Sequence, residues 1–287
     1  MNSPEKHNSQ PQPCGSESLA DEQPQHPPQA IELLFLGTGT SHGVPVIGCD
    51  CHVCRSDNPR NVRTRTSILL RLRPHNINIL IDTAIDLRQQ MLRERVSHVD
   101  AILFTHHHAD HILGLDDIRV FSDRQGRIDC YAPPASAERI KSVFSYAFNS
   151  PEIPDWGGLP RLNLKLIDGH IDIFGQRIIP LRLPHGRITV YGYRIGKLAY
   201  LTDCKSVPDE AMEQLHDLDV LVIDALRHHP HPTHLSIDEA LEAAAKINAA
   251  RTFFTHICHR VDHDTLAASL PPHIQPAYDG LVVNVKA

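Results

Sequence analysis

Phe104-Thr105-His106-His107-His108-Ala109-Asp110-His111 carries imidazoles and a carboxylate in the spacing H-x-H-x-D-H, immediately behind the apolar run Ala101 to Phe104. Such a short run reads as a buried strand. In extended backbone, side chains two residues apart point the same way, so His106 and His108 share a direction. Asp110 and His111 begin the next turn and can face a second cation. One strand end therefore supplies half of a site for two metal ions.

Other apolar runs end in the same kind of residue. Ile79-Leu80-Ile81 ends in Asp82, Leu181-Arg182-Leu183-Pro184 in His185, Tyr200-Leu201-Thr202 in Asp203, and Phe253-Phe254-Thr255 in His256. A lone Asp at a strand end is ordinarily a turn former or a helix cap. Four such ends in a chain with H-x-H-x-D-H point instead to a metal centre. Strand ends also hold ligands more rigidly than free loops do, as a fixed metal separation requires.

Composition sets the bounds. A chain of 287 residues, 41% hydrophobic, can bury a sizeable core. A formal charge of -6 leaves no basic footprint for gripping phosphates in series, which argues against long nucleic acid. No apolar run approaches the roughly 20 residues that span a bilayer, and the N-terminus has no charged-then-apolar signal pattern. The expectation is a cytoplasmic protein without membrane partners. Of seven cysteines, three lie in Cys49-Asp50-Cys51-His52-Val53-Cys54, a spacing of metal ligands and not of a disulfide framework.

Met1 to Ala30, rich in Pro, Gln, Ser and His, lacks apolar periodicity and reads as a disordered tail, residues 1–30. From Ile31 onward, strand-like runs (Ile31 to Leu36, Ser67 to Leu72, Ile77 to Ile81, Ile178 to Leu183, Thr189 to Ile195, Leu198 to Leu201, Val220 to Ile223, Thr252 to Phe254) interleave with helical spacing at Ile85 to Arg95, Ala135 to Tyr146, Asp209 to Leu215 and Ser236 to Ile247. The interleaving predicts one layered α/β domain, two sheets with helices outside, and no internal repeat.

The order of a strand-end Asp, H-x-H-x-D-H, a later His, a later Asp and a final His resembles the metallo-β-lactamase superfamily from Ile31 to the C-terminus. The resemblance implies a four-layer αββα sandwich over residues 31–287, a hydrolase domain with its metals at one edge between the sheets. It implies that His106, His108 and His185 hold one metal, that Asp110, His111 and His256 hold the other, and that Asp203 bridges them. Asp82 would orient a ligand imidazole, and Asp82 and Asp110 are candidate catalytic residues.

Cys49, Cys51 and Cys54 are one ligand short of the tetrahedral set of a structural zinc. Thr255-His256-Ile257-Cys258-His259 offers the fourth, either His259 or its rival Cys258, and would staple the N-terminal loop to the last motif. No role is assigned to Cys14, Cys130 or Cys204. The stretch Leu36-Gly37-Thr38-Gly39-Thr40-Ser41-His42-Gly43-Val44-Pro45 forms no nucleotide-binding glycine motif. Its glycines let a strand turn sharply and leave backbone N–H groups free for a phosphate. Arg63 and Arg65, ahead of the Ser67 strand, could pair a substrate phosphate, but read rather as a solvated pair.

That glycine-rich start followed by C-x-C-x-x-C resembles the phosphoribosyl cyclic phosphate phosphodiesterases of bacterial phosphonate breakdown. This resemblance implies a structural zinc on Cys49, Cys51, Cys54 and His259, two divalent metals (Mn or Zn) at the dinuclear site, His234 as general acid, and a homodimer. The expected activity is opening of a small cyclic phosphate ester, such as 5-phosphoribosyl 1,2-cyclic phosphate, by a hydroxide bridging the metals. Two rivals remain. One is RNA processing as in tRNase Z, against which stand the missing basic arm and the His256-Ile257-Cys258-His259 ending; the other is a metal-binding module without catalysis. The start also resembles a pyrroloquinoline quinone biosynthesis protein of the superfamily, though the complete ligand set favours a hydrolase.

Overall fold

The structure, a computed structural model, describes residues 30–148 and 158–286. The expected tail lies outside these residues except for its last, Ala30, which already opens the first strand. Cys14 lies outside as well.

The strands are β1 (Ala30–Gly37), β2 (Ser67–Arg73), β3 (Ile77–Ile81), β4 (Ala101–Leu103), β5 (Ile128–Ala132), β6 (Leu162–Leu166), β7 (Ile171–Ile173), β8 (Gln176–His185), β9 (Ile188–Ile195), β10 (Leu198–Leu201), β11 (Val220–Asp224), β12 (Arg251–Thr255), β13 (Ile274–Pro276) and β14 (Val282–Val285). They form two seven-stranded sheets, ordered β14-β1-β2-β3-β4-β5-β6 and β13-β12-β11-β10-β9-β8-β7.

Alternation within each strand builds three apolar layers. Leu33 and Phe35 of β1 face inward with Ile68, Ile79 and Leu103, and meet Tyr193, Tyr200, Val222 and Phe253 of the second sheet. Leu34 and Leu36 face outward, under helical residues Leu87, Met91, Leu115 and Ile140. On the far side, Leu183, Leu201 and Ile223 pack beneath Ile237, Ala240 and Ala244 of the helix Ile237–Ile247. Strands covered on both faces read as unbroken apolar runs, which is why the central ones are legible. Helix–sheet–sheet–helix is thus the observed layering. Phe35 and Phe253, with ring centroids 5.8 Å apart, lie at the seam between the sheets; truncating either to alanine costs about 3–5 kcal/mol.

Three helices are shorter than their periodicity suggests, among them Asp209–Met212, whose helical spacing runs on to Leu215. The first covers Leu87–Arg93, because Asp86 is drawn off to Arg65 and Ile85 is exposed. The helix Pro134–Val143 breaks at Phe144 before a short turn, Ser145–Phe148. By contrast, the helix Ile237–Ile247 begins in a capping box, Ser236 with Glu239, and ends on Asn248 in the left-handed conformation (φ 55°).

Strand direction positions the site. β3 runs parallel to β4, and β10, β11 and β12 are mutually parallel. β8 shares their direction through the antiparallel β9. The C-terminal ends of these six strands therefore lie along one edge of the sandwich.

Candidate metal centre

Every strand-end residue singled out in the sequence stands at this edge. The chain leaves β4 extended through His106 and His108, and a short helix, Ala109–Ile112, starts directly after His108. The motif thus changes from strand to helix between its two halves. His107 points away from its neighbours to the Ser136 hydroxyl, 3.2 Å from its Nδ1.

Asp203 sits in the middle. Its Oδ2 lies 3.9 Å from His106 Nε2 and 4.0 Å from His185 Nε2, while its Oδ1 lies 3.4 Å from His111 Nε2 and 3.5 Å from His256 Nε2. One carboxylate thus divides its oxygens between two groups of imidazoles. His106, His108 and His185 present ligand atoms within 4.8 Å of one another, as do Asp110, His111 and His256. Asp82, Asp203 and His256 all hold positive φ (63°, 54° and 59°), a conformation that costs non-glycine residues about 1–2 kcal/mol. That strain turns each side chain off its strand end.

The electrostatics suit divalent cations. Burial pushes His106 well below the ordinary imidazole value, and burial also lowers His108, His185 and His256, leaving lone pairs free for a metal. Burial likewise opposes charge on His111, yet the carboxylates of Asp203, Asp110 and Asp82 hold it well above its usual value. Burial works against ionised Asp203 too, but His256 and His111 keep it well below the carboxylate range. A field that draws a proton onto His111 draws a cation equally. The buried Nε2 atoms of His106, His111 and His256 have no protein hydrogen-bond partner, as metal-ligating nitrogens would not.

Surrounding groups set the ring orientations. His111 Nδ1–H donates to Asp82 Oδ2 (2.7 Å), and Thr105 donates to the same carboxylate through its N–H (2.8 Å) and hydroxyl (2.7 Å). Asp82 is fully buried with both oxygens engaged, so it acts through His111 and reaches no substrate. This departs from its expectation as a catalytic residue. His185 Nδ1–H donates to the Thr233 carbonyl (3.0 Å), which turns Nε2 inward. Tyr191 N–H on the Thr105 carbonyl (2.9 Å) and Tyr193 OH on the Phe104 carbonyl (2.5 Å) tie the motif strand to the opposite sheet.

His234 stacks on His256 with centroids 4.7 Å apart and planes 13° from parallel. Its Nδ1–H donates to Asp224 Oδ2 (2.8 Å), leaving Nε2 as the free ring atom. Asp224, the last residue of β11, was missed in the sequence although Val220 to Ile223 ends on it as the other strands end on their acids. It also accepts from Cys204 N–H (3.1 Å), and burial pushes its carboxyl well above the usual range.

The second cluster forms around His259. Its Nδ1 lies 3.2 Å from Cys49 Sγ and 3.6 Å from both Cys51 and Cys54 Sγ. Cys258 stays out of this group, its sulfur accepting from Arg260 N–H (3.4 Å). The Cys54 N–H bond brings Cys51 down to about 6, while burial and the neighbouring thiols push Cys54 up to about 11. Three adjacent thiolates need a cation to coexist. Gly39 pairs with both Arg65 and Ile257 beneath this loop, and a Cβ there would lie 2.6 Å from the Arg63 carbonyl. Arg63, read as solvated, is instead 1% exposed. Its guanidinium donates to Asn61 Oδ1 (3.0 Å) and to the carbonyls of Val261 (3.0 Å) and Cys258 (3.2 Å). Arg65 pairs with Asp86 at 2.9 Å.

The sequence pattern of the beta-lactamase superfamily domain matches residues 77–257. An octanoyltransferase of Porphyromonas gingivalis is 37% identical over 255 residues, 88% of this chain and 51% of that protein. A ribonuclease Z of Thermosynechococcus vestitus is 30% identical over 172 residues, 58% of this chain and 36% of the relative. The chain spans about half or less of the length of these two relatives. The crystal structure of a diphosphatase from the PhnP family superposes with a TM-score of 0.81 at 43% identity, over 88% of this chain and 97% of that one. The matched pattern takes in H-x-H-x-D-H and each strand-end acid and histidine from Asp82 to His256, and the chain belongs to the metallo-β-lactamase superfamily and resembles the PhnP family.

Proposed function

We propose that the protein is a cytoplasmic phosphodiesterase that opens a small cyclic phosphate ester, such as 5-phosphoribosyl 1,2-cyclic phosphate. The division of the Asp203 oxygens between two imidazole groups carries this reading. His106, His108 and His185 would hold one divalent cation, Asp110, His111 and His256 the other, Mn or Zn, with Asp203 shared. Cys49, Cys51, Cys54 and His259 would hold a structural zinc, and such a thiolate set fits a reducing compartment. Bound divalent cations supply Lewis acidity and lower the pKa of water toward about 7.

The protein's own groups do the rest. Asp203 and the imidazoles fix where the phosphate sits, and the strand ends keep that geometry rigid. His234, its Nδ1–H given to Asp224, presents Nε2 to the site; burial lowers its affinity for a second proton, so a proton taken up at Nε2 is readily passed on to the departing sugar oxygen as the ring opens. The Porphyromonas relative is named for octanoyl transfer, but this chain covers 51% of it, and the donor set here suits hydrolysis.

The test is turnover by metal-loaded protein of 5-phosphoribosyl 1,2-cyclic phosphate, a 2′,3′-cyclic nucleotide, a nucleoside diphosphate and a pre-tRNA, followed by phosphorus NMR and gel. Selective opening of the first supports the proposal. Preference for the diphosphate would move the scissile bond to an anhydride, and pre-tRNA cleavage alone would replace the reading with RNA processing.

A further inference from the structure

Arg63 is a buried cation with no anion beside it. The side chain is almost wholly buried and has no ion-pair partner among the described residues. Its three acceptors, Asn61 Oδ1 and the carbonyls of Cys258 and Val261, are all neutral, and its Nε has none. The nearby carboxylate of Asp262 is engaged elsewhere, by Asn61 Nδ2 (2.7 Å) and, as the cap of the helix His263–Ser269, by Thr265 N–H (2.9 Å). Taking a lone guanidinium out of water is costly, and burial pulls its pKa down to about 10. Three neutral acceptors need only a neutral donor, so a charge kept at this position points to an anion that forms close by.

The cysteine cluster supplies that anion. Three thiolates around a divalent cation leave one net negative charge, and His259, the fourth member, directly follows Cys258 in the chain. Arg63 touches both arms of the cluster. Its N–H and carbonyl pair with Val44 (2.8 Å each), ahead of the turn that leads to Cys49, while its fork holds the carbonyls of Cys258 and Val261 on either side of His259. Cys258 also lies two residues beyond His256 of the other metal group. Its N–H donates to the Leu226 carbonyl (3.0 Å), and Ile257 N–H donates to the Thr38 carbonyl (2.9 Å). The stretch from His256 to His259 therefore serves both metal groups and is gripped by one guanidinium. We propose that Arg63 is a positioning residue that makes the two groups cooperative. The charge of the loaded cluster holds the guanidinium, the guanidinium fixes the Cys258 carbonyl, and His256 is thereby kept where it shares a cation with Asp110 and His111. The inference rests on the metal-binding reading of both groups given above and is independent of the substrate.

The experiment is a Mn(II) binding isotherm of the full chain, metal-stripped under reducing conditions, with and without one equivalent of Cd(II), a soft ion that thiolates select and whose charge-transfer absorption reports their occupancy. Loading the thiolates is expected to tighten one Mn(II) step by about 5- to 150-fold. Thiolates that load while the isotherm stays unchanged would overturn the coupling and leave the structural-metal reading standing; no thiolate absorption at all would remove that reading and the coupling with it. Two variants assign the effect to Arg63. Arg63→Lys keeps the charge and loses the fork, so the gain from Cd(II) should shrink to within about twofold. A residue that merely supports the fold would lower the melting temperature and leave the gain as in wild type, and that result would refute the positioning role. Arg63→Gln keeps a neutral donor and loses the charge, so the cluster should bind Cd(II) about 10- to 100-fold more weakly. Equal affinity would refute the charge pairing, and either variant decides if the other does not fold.

Discussion

Replacing Asp82 with asparagine keeps the size of the side chain and its tolerance of positive φ (63°), and removes its charge and half of its acceptor capacity. Three donors converge on the carboxylate: Thr105 N–H on Oδ1 at 2.8 Å, and the Thr105 hydroxyl and His111 Nδ1–H on Oδ2, each at 2.7 Å. The amide oxygen of asparagine can serve one side only. If it keeps His111, the NH2 group meets Thr105 N–H donor to donor, and an unmet buried donor costs about 1–3 kcal/mol. Conversion of the remaining bonds from charged to neutral brings the loss of stability to about 2–5 kcal/mol. His111 also loses the partner that fixes its ring, so the cation held with Asp110 and His256 should bind about 10- to 100-fold more weakly. Urea unfolding of metal-stripped protein measures the first quantity, and a Mn(II) binding isotherm measures the second. One weakened and one intact binding step are expected. Stability within 0.5 kcal/mol of wild type, together with an unaltered isotherm, would refute the idea that Asp82 works by holding His111.

His234→Ala should retain its bound metal by mass spectrometry of the folded protein and lose about 10²- to 10⁴-fold in kcat, whereas undiminished turnover would remove His234 from the chemistry. Cys51→Ala should release one zinc per chain and lower the melting temperature; a variant with full zinc content would show that His259 and the other thiols do not need it. His263, 3% exposed, is held down from 6.5 to about 4 by burial, with Arg63 and Arg60 adding to the effect. A histidine depressed in the folded state is protonated first in the unfolded chain. Its contribution is therefore complete above pH 6.5 and is lost as pH falls toward 4, to the extent of about 3 kcal/mol. Metal-stripped wild type should lose that much more than His263→Gln across this window, and parallel stability profiles would contradict it.

Most central strands and the donor residues of the metal centre were legible because burial on both faces writes an unbroken apolar run, and each run ends on a chemically distinctive side chain; β5, whose alternate residues Asp129 and Tyr131 are only half-buried, was not, nor was the edge strand β14. The margins were harder to see. β6 has one fully buried residue, Leu162, while Leu166 is 58% exposed, so its pattern resembles a loop. β7 and β13 have three residues each, too few to show a period. The Arg63 site leaves no sequence trace, since two of its acceptors are backbone carbonyls supplied by residues near 260. Asp224 was visible in principle. Its run was recognised, but no histidine sits beside it in sequence, and its partner His234 is ten residues away across a loop.

The Cys49–His259 contact joins positions 210 residues apart. At about 5–20 residues per second, a ribosome needs roughly 10–40 s to pass from one to the other. Throughout that interval the three thiols have emerged without their imidazole, and β12, which carries the final histidine of the other centre, does not yet exist. Metal loading at either candidate centre would therefore be a closing event in the biogenesis of this protein. A nascent chain stalled before residue 259 would expose a soft, oxidisable thiol triplet, a natural point for a chaperone or a reducing system to act.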